Sequence, residues 1–270
     1  MYPIKIIHIS DIHFSSSSLF LQPIDIKQPL IDLINNKVQK GDLAFLILSG
    51  DITFGANKSG YTQGNIFFNE IVQSTKLERK NIITCPGNHD IVNTSFTDFD
   101  IFSYNLRDDN TLKFSDTPNH ILNYDNISFL TINSSYYLDR TYGLVDIQRL
   151  QELLEKSALA QNKVAIIHHH FLNFQKDDTS IIRNSYQTLD LLKNYRFDTI
   201  LHGHQHTKQM YTINGITIKG ISSPTEGRSS SNLIGYYEID EAKNFTVDEY
   251  LFSKDTIRNG QMGRYIKQHG

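Results

Sequence analysis

The sequence predicts an α/β layered fold, a sandwich of two mixed β-sheets flanked by helices. Three observations support this prediction. Short apolar runs of strand length recur along the chain, helix-like stretches alternate with them, and the C-terminal third carries strand-like runs joined by short turns. Alternating strands and helices are typical of parallel pairing, whereas short turns are typical of antiparallel pairing, so we expect both kinds in each sheet.

The predicted strands of the first two thirds are isoleucine-rich runs, and most of them end in a polar, turn-like cluster. They are Ile4–Ser10, Leu43–Ser49, Asn81–Cys85, Ile127–Asn133, Lys163–Ile167 and Asp198–His202. The run Leu43–Ser49 is apolar at successive positions, and such a strand is normally covered on both faces. This pattern favours a sheet that is buried inside the domain.

Four predicted helices alternate with these strands. Asp146–Lys156 has apolar residues at helical spacing, and Asp146 can cap its first turn. The other three are Thr62–Thr75, Ser185–Asn194 and a helix from Pro29 to about Val38, since proline often opens a helix. A weaker helical pattern near Phe96–Leu106 lies within the otherwise polar excursion Ile91–Asn126.

The C-terminal third predicts a meander of mostly antiparallel strands. Its strand-like runs are Thr207–Ile213, Ile216–Ile221, Leu233–Ile239 and Phe245–Phe252. The final segment Asp255–Gly270 is polar, and we expect no core element there. We therefore predict one domain at 1–252, followed at 253–270 by a tail or by the start of a connection to a further region or partner.

Composition limits the class of protein. With 39% hydrophobic residues, the 270-residue chain can build a sizeable core. The net charge is −3 and the lysines and arginines are scattered, so charge does not indicate nucleic acid as a partner, although contacts through a metal site leave that partner open. The chain lacks a signal-peptide layout and a run of about 18 apolar residues, so we predict a cytoplasmic protein without a membrane span.

The histidines are concentrated at predicted strand ends. Eight of the eleven fall in four short segments at or just after a strand, namely His13, His89, His168–His170, and His202, His204 and His206. Ligands and catalytic groups gather at the carboxyl ends of strands in α/β sheets, because the loops converge there. Packing alone gives no reason for this placement, so we predict a metal or catalytic site.

Two of these strand ends also carry aspartate. Asp11 and His13 leave the first strand two residues apart, which places both side chains on one side of an extended chain. Asp51 follows Ser49-Gly50 at the tip of the second strand, where glycine permits a sharp exit. A carboxylate at such a tip has two oxygens and can bridge two cations.

Three further segments complete the predicted site. The turn Pro86-Gly87-Asn88-His89-Asp90 offers an amide oxygen from Asn88, and in it Asp90 can orient the acid–base group His89. One or two of His168–His170 face the same pocket, since adjacent residues alternate sides of an extended chain. His204 and His206 lie on one side if extended and can serve neighbouring metals.

The donor set indicates the kind of metal. It consists of oxygens and imidazole nitrogens without a thiolate, because the single cysteine, Cys85, has no thiol partner. Such a set suits Mn, Fe or Zn better than an iron–sulfur cluster or a thiolate zinc site. Seven ligands are too many for one ordinary site, so we predict two divalent or trivalent metal ions that share Asp51.

This ordered set of motifs resembles the calcineurin-like metallophosphoesterase superfamily, with Asp-x-His, Gly-Asp, Gly-Asn-His-Asp, a strand-terminal histidine and Gly-His-x-His in that order. The resemblance implies that one metal is held by Asp11, His13 and His206. It implies that the other is held by Asn88, His204 and one of His168–His170, with Asp51 bridging both. Many relatives have a proline soon after the strand-terminal histidine, but here Phe171 follows three histidines, and we favour His168.

The resemblance also implies an activity. It predicts a dinuclear-metal phosphoesterase that hydrolyses a phosphodiester or phosphomonoester bond through a hydroxide bridging the metals. In this reaction His89 is expected to protonate the leaving oxygen, and Asp90 is expected to orient His89. The chain is similar to the bacterial cyclic-nucleotide phosphodiesterase branch, which favours a nucleotide-like substrate. Two alternatives stay open, a nuclease or phosphoprotein phosphatase of the same superfamily, and an N-terminal metal-binding effector module of a larger protein.

Substrate choice is predicted to depend on the loops over the metals. The candidate segments are Phe14–Asp25, Ile91–Asn126, Asn133–Tyr142 and Asn173–Ser180, together with Arg228, whose guanidinium can pair with a phosphate.

Overall fold

Two six-stranded sheets form the centre of the molecule in the computed structural model, which describes residues 3–17, 21–173, 176–225, 232–253 and 263–268. The strands are β1 (Ile4–Ile9), β2 (Ala44–Leu48), β3 (Ile82–Thr84), β4 (Asn119–Tyr124), β5 (Ile127–Ile132), β6 (Asn162–Ile167), β7 (Thr199–His202), β8 (Gln209–Ile213), β9 (Ile216–Gly220), β10 (Leu233–Ile239), β11 (Phe245–Ser253) and β12 (Arg264–Gln268). The helices are α1 (Pro23–Lys37), α2 (Lys58–Ser74), α3 (Thr97–Arg107), α4 (Ile147–Glu155) and α5 (Ser185–Asn194). Arg79–Asn81 and Asn88–Asp90 form short 3-10 turns.

Both sheets mix parallel and antiparallel pairing, as the sequence predicts. The first sheet has the order β12-β11-β10-β1-β2-β3, in which β1, β2 and β3 are parallel and the other neighbours antiparallel. The second has the order β4-β5-β6-β7-β9-β8, with a parallel centre and an antiparallel strand at each edge. The parallel strands of each sheet therefore end at the same edge, where ligands and catalytic groups gather in such sheets.

Alternating side chains divide the apolar core into two clusters. Phe129 of β5 and Ile166 of β6 pack with the first sheet and with α1, α2 and α3. Their neighbours Leu130 and Ile167 pack with α4 and α5 on the opposite face. Successive strand residues point to opposite faces, so this division shows four layers with both faces of the second sheet covered. The two-sheet sandwich with flanking helices is confirmed.

The start of α1 differs from the prediction. The helix begins at Pro23, not Pro29, which lies inside it and is buried. At the true start, the Gln22 backbone N–H donates to the Asp25 carboxylate at 3.1 Å, and the Asp25 N–H donates to the Gln22 carbonyl at 2.9 Å. Proline at the first helical position needs no hydrogen-bond acceptor for its nitrogen, so Pro23 and this reciprocal cap fix the start. By contrast, Asp146 caps α4 as predicted, because its side chain accepts from the Arg149 N–H.

Two edge strands were missed. β12 lies within the segment Asp255–Gly270, where no core element was expected, and it pairs antiparallel with β11. β4 lies within the polar excursion Ile91–Asn126 and forms a hairpin with β5. Edge strands are half solvated, so their sequences lack the continuous apolar pattern that identified the central strands.

The predicted C-terminal meander is also divided between the sheets, because β8 and β9 join the second sheet while β10 and β11 join the first. In the part of the chain that the structure describes, no helix is both long and apolar enough to span a lipid bilayer.

Candidate metal centre

Backbone hydrogen bonds bring the predicted site segments together at the carboxyl ends of the parallel strands. The Asp11 N–H donates to the Gly50 carbonyl at 3.0 Å, and the His13 N–H donates to the Asp51 carbonyl at 3.1 Å. In the second sheet, the Gly203 N–H donates to the His168 carbonyl at 3.1 Å. The segments after β1 and β2, and those after β6 and β7, therefore run side by side.

Five of the predicted ligands have left-handed backbone conformations. The φ angles of Asp11, His13, Asp51, His204 and His206 lie between 47° and 74°. Such angles are uncommon for residues other than glycine, and strained residues cluster at functional sites. Asp11 and His13, like His204 and His206, were expected to converge because the chain is extended. They converge instead through turns in the backbone, so the geometric reason given for that prediction was wrong.

The first donor cluster consists of Asp11, His13 and His206, whose ligand atoms all lie within 4.8 Å of one another. The Nε2 atoms of His13 and His206 are 3.1 Å apart. Oδ2 of Asp11 accepts from the His204 N–H at 2.9 Å, and its Oδ1 lies 3.4 Å from His206 Nε2. One carboxylate oxygen is thus anchored to the backbone while the other faces the imidazoles, as a metal ligand would.

The second donor cluster consists of Asp51, His168 and His204, again within 4.8 Å of one another. His168 Nε2 lies 3.3 Å from Asp51 Oδ2 and 3.1 Å from His204 Nδ1. Asn88 adds a further oxygen, since its Oδ1 is 3.1 Å from His168 Nε2. The Asn88 amide nitrogen donates to the Arg140 carbonyl at 3.2 Å, which fixes which end of the amide faces the cluster.

Asp51 belongs to the second cluster and also faces the first. Its Oδ2 is 3.9 Å from His13 Nε2 in the first cluster and 3.3 Å from His168 Nε2 in the second. Its Oδ1 accepts from the His89 backbone N–H at 2.8 Å, which holds the carboxylate in this orientation. The position is the one that the predicted bridging role requires, although the ligand roles themselves stay predictions.

The hydrogen bonds of His168 show that these residues fit a cation. Nδ1 of His168 lies 2.9 Å from the Ser49 carbonyl oxygen, and a carbonyl only accepts, so Nδ1 carries a hydrogen. In the neutral ring, the Nε2 lone pair then faces the oxygens of Asn88 and Asp51. Three facing acceptors repel one another unless a proton or a metal ion lies between them. Histidine metal ligands typically donate their other ring N–H to a carbonyl or carboxylate, as His168 does here.

The pKa values in the metal-free protein follow from the same geometry. Burial opposes charge on His168, but the carboxylates of Asp51 and Asp11 outweigh it and raise the pKa of His168 to about 9. Burial would raise the pKa of Asp51, but the nearby histidines, His168 above all, hold it well below its usual range. Burial, followed by the charge on His168, lowers the pKa of His204 to about 3. One imidazolium thus balances the carboxylates, and a bound metal would replace its proton.

The three consecutive histidines have different surroundings. In the described part of the chain, only His168 among them belongs to a donor cluster. His169 Nδ1 lies 2.8 Å from the Ser134 hydroxyl, and His170 Nε2 lies 3.0 Å from the Asp178 carboxylate. The geometry therefore supports the choice of His168 as the ligand.

We predict that His168→Gln lowers the metal content from two ions toward one and lowers kcat/KM by more than about 100-fold, because residues that merely orient a ligand cost 10–100-fold. His169→Gln and His170→Gln serve as matched controls and are expected to keep both metals. Elemental analysis of the purified variants and phosphoesterase kinetics measure the two effects. Loss of metal from His169→Gln but not from His168→Gln would shift the ligand by one residue.

Asp90 does not have the contact that was predicted for it. Its carboxylate accepts from the backbone N–H groups of Ile52 and Gly87, at 3.1 and 2.9 Å, and from the Tyr61 hydroxyl at 3.1 Å. Burial, with the charge of Asp51 as the second cause, raises the pKa of Asp90. Asp90 thus joins the segment after β2 to the turn that carries His89. The His89 ring contacts the Gly55 N–H and the Phe54 ring instead, so the expectation that Asp90 orients it was wrong.

Several contacts of the site had no signal in the sequence. They involve backbone groups, namely the Ser49 carbonyl on His168, the Arg140 carbonyl on Asn88 and the His204 N–H on Asp11. Any residue type can supply such a group, so motif analysis does not identify them. Of the predicted substrate-binding features, Arg228 lies outside the described residues.

Comparison with known proteins agrees with this geometry. The chain matches a family model described as calcineurin-like phosphoesterase over residues 4–208, more than half of its length. It is 32% identical over 90 residues to an uncharacterised metallophosphoesterase-like protein, YydB, of Bacillus subtilis. That match covers 33% of this chain and 18% of YydB.

Solved structures share the fold at low sequence identity. A dimetal phosphatase from Danio rerio has 12% identity and a TM-score of 0.66, over 88% of this chain and 93% of that one. A phosphopantetheinyl hydrolase from Mycobacterium tuberculosis has 12% identity and a TM-score of 0.55, over 82% and 90% of the two chains. A putative 5'-nucleotidase from Staphylococcus aureus has 14% identity and a TM-score of 0.54, over 98% of this chain and 54% of that one.

Proposed function

The chain belongs to the calcineurin-like phosphoesterase family, and on that premise we propose that it is a metal-dependent phosphodiesterase acting on a nucleotide-like substrate. The observation that carries this proposal is the pair of adjacent donor clusters, of which the second contains Asp51. One divalent ion would be held by Asp11, His13 and His206, and a second by Asn88, His168 and His204. Together the two ions would supply an activated water and positive charge for the phosphoryl oxygens. The donor set favours Mn, Fe or Zn as these metals.

The chain's own residues would position the reacting groups. Asp51 would hold its carboxylate between the clusters, because the His89 N–H anchors Oδ1 and leaves Oδ2 facing both. His89 lies against the first cluster, with its ring centroid 5.1 Å from that of His13. From there it would place a ring N–H beside the phosphate and assist departure of the leaving oxygen.

The arginines of the described loops are consistent with the proposed diester. A monoester carries a second negative charge, which arginine or lysine normally matches. In the loops that the structure describes, Arg140 donates to the Ile91 carbonyl, and Arg183 stacks on the Tyr142 ring with its guanidinium carbon 3.4 Å from the ring centroid. Both guanidinium groups thus have partners within the described loops, and neither contact indicates a second negative charge on the substrate.

A substrate panel tests the proposal. The purified protein is assayed with bis-p-nitrophenyl phosphate, p-nitrophenyl phosphate, cyclic nucleotides and single-stranded DNA, each with Mn, Ni, Zn or Mg. We expect the diesters, including cyclic nucleotides, to be turned over fastest. Faster turnover of the monoester would indicate a phosphatase, and degradation of DNA would indicate a nuclease. No turnover by metal-loaded protein would favour the effector-module alternative, in which the chain binds metal within a larger assembly.

A further inference from the structure

The turn Phe54-Gly55 holds the imidazole of His89 from two directions. The Gly55 backbone N–H donates to His89 Nδ1 at 3.1 Å. The Phe54 ring stacks on the His89 ring, with centroids 5.1 Å apart and an interplanar angle of 23°. The Ala56 N–H donates to the His89 carbonyl at 3.0 Å, so the turn also grips the backbone of the same residue.

The hydrogen bond from Gly55 determines the tautomer of His89. A backbone amide only donates, so Nδ1 must accept and cannot carry a hydrogen while this bond exists. The neutral ring therefore keeps its hydrogen on Nε2, at the end of the ring opposite Gly55. In many enzymes a carboxylate or carbonyl fixes the tautomer by accepting from Nδ1; here a donor fixes the opposite one.

Packing in the core does not account for the position of Phe54. Its side chain is 39% exposed, which is unusual for an aromatic residue placed to build a core. It contacts His89 and also His13, whose ring centroid is 5.6 Å from that of Phe54. Gly55 has a φ of +60°, a conformation that glycine adopts without cost, so the turn can present its N–H in this direction.

We infer that the turn Phe54-Gly55 is the positioning element that presents the Nε2–H of His89 to the phosphate ester at the metal centre. The inference rests on the proposed function and sharpens it, since it assigns the donating atom and replaces Asp90 with Phe54 and Gly55 as the orienting groups. Phe54 fixes the plane of the ring and Gly55 fixes its rotation. Neither residue touches the substrate in this role.

Kinetics of four variants test the positioning role in the metal-loaded full chain. Removing one positioned hydrogen-bond donor costs about 10²–10³-fold in kcat, so His89→Ala is expected to lower kcat by that amount. Phe54→Ala is expected to lower kcat by about 10-fold with little change in KM or metal content, because it loosens but does not remove the donor. Phe54→Tyr keeps the stacked ring and should restore kcat to near the wild-type value.

The double variant separates positioning from a general structural effect. In the His89→Ala background, Phe54→Ala should cause no further loss of kcat, because the group that it positions is absent. An equal loss in both backgrounds, or equal losses from Phe54→Ala and Phe54→Tyr, would overturn the inference. Circular dichroism and thermal melting of each variant confirm that it is folded.

Nitrogen-15 NMR tests the tautomer independently of activity. Long-range ¹⁵N–¹H spectra of histidine-labelled protein, metal-free and zinc-loaded, are expected to show His89 with its hydrogen on Nε2. Phe54→Ala should broaden this signal or shift it toward the other tautomer, and His89→Ala identifies it. A hydrogen on Nδ1 would overturn the inference. If the wild-type protein hydrolysed no phosphate ester, the proposed function would fail, and the tautomer spectrum alone would then decide the role of the turn.

Discussion

Asp51→Asn is expected to lower kcat/KM for a phosphodiester by at least about 10³-fold, because metal-ion catalysis contributes several kcal/mol and about 4 kcal/mol corresponds to that factor. The substitution keeps the shape of the side chain but leaves one oxygen. Wild-type Asp51 uses Oδ1 to accept from the His89 N–H and Oδ2 to face both donor clusters. Asparagine has one oxygen and can make only one of these two contacts. It therefore either loses the hydrogen bond from the His89 N–H or turns its NH₂ group toward the histidines.

Steady-state kinetics and elemental analysis of the same preparation measure this effect. The matched control is Asp190→Asn, an identical chemical change at an exposed position on α5, which should leave kcat/KM and metal content unchanged. Asp51→Asn that retains two metals and the wild-type kcat/KM would exclude a bridging role. Loss of activity with both metals retained would instead place the effect of Asp51 in orienting His89.

The fold was predictable where both faces of a strand are buried. Ile4–Ser10, Leu43–Ser49 and Lys163–Ile167 match β1, β2 and β6 to within one residue at each end, because strands covered on both faces are mostly apolar. β4 and β12 escaped prediction because each exposes part of its side chains and lies in a polar segment, whereas the edge strand β8 lies among the strand-like runs joined by short turns. His120 on β4 lies in this polar segment, yet its ring packs on Phe114 and burial lowers its pKa to about 4.

The candidate site was predictable in membership but not in conformation. Asp11, Asn88 and His204 were identified because polar metal-binding residue types follow apolar runs, and the strand ends then bring them together. The left-handed φ of Asp11 and His204 could not be predicted, since aspartate and histidine adopt it in only a small fraction of cases. The tautomer of His168 likewise depends on the Ser49 carbonyl, a group that every residue possesses.

Removing the metals is expected to lower the melting temperature by about 10 °C. A ligand that binds only the native state at 1,000 times its Kd adds about 4 kcal/mol, and each kcal/mol shifts the melting temperature of a domain of this size by about 2–4 °C. The donor atoms of the clusters come from both sheets, from segments that only folding brings together. The metals therefore have little affinity for the unfolded chain, and most of their binding energy stabilises the fold.

The loss should depend on pH through His168. Its pKa in the folded, metal-free protein is about 9, above the ordinary value of 6.5, so the stability that this charge contributes is present below pH 6.5 and lost as pH rises through 9. Metal must displace the same proton, so it binds more weakly as pH falls. Both effects make the gap between metal-loaded and chelator-treated protein widen from pH 6 to pH 9. Thermal melting at constant ionic strength measures it.

The Asp51→Asn variant provides the control for chelation. If the metals lie at the donor clusters, this variant should show a smaller difference between metal-loaded and chelator-treated samples, because a shared ligand is weakened. An undiminished difference would mean that the stabilising metal binds elsewhere. Identical melting temperatures with and without metal from pH 6 to pH 9 would mean that His168 and the carboxylates of Asp11 and Asp51 form a buried ion-pair network that holds no metal.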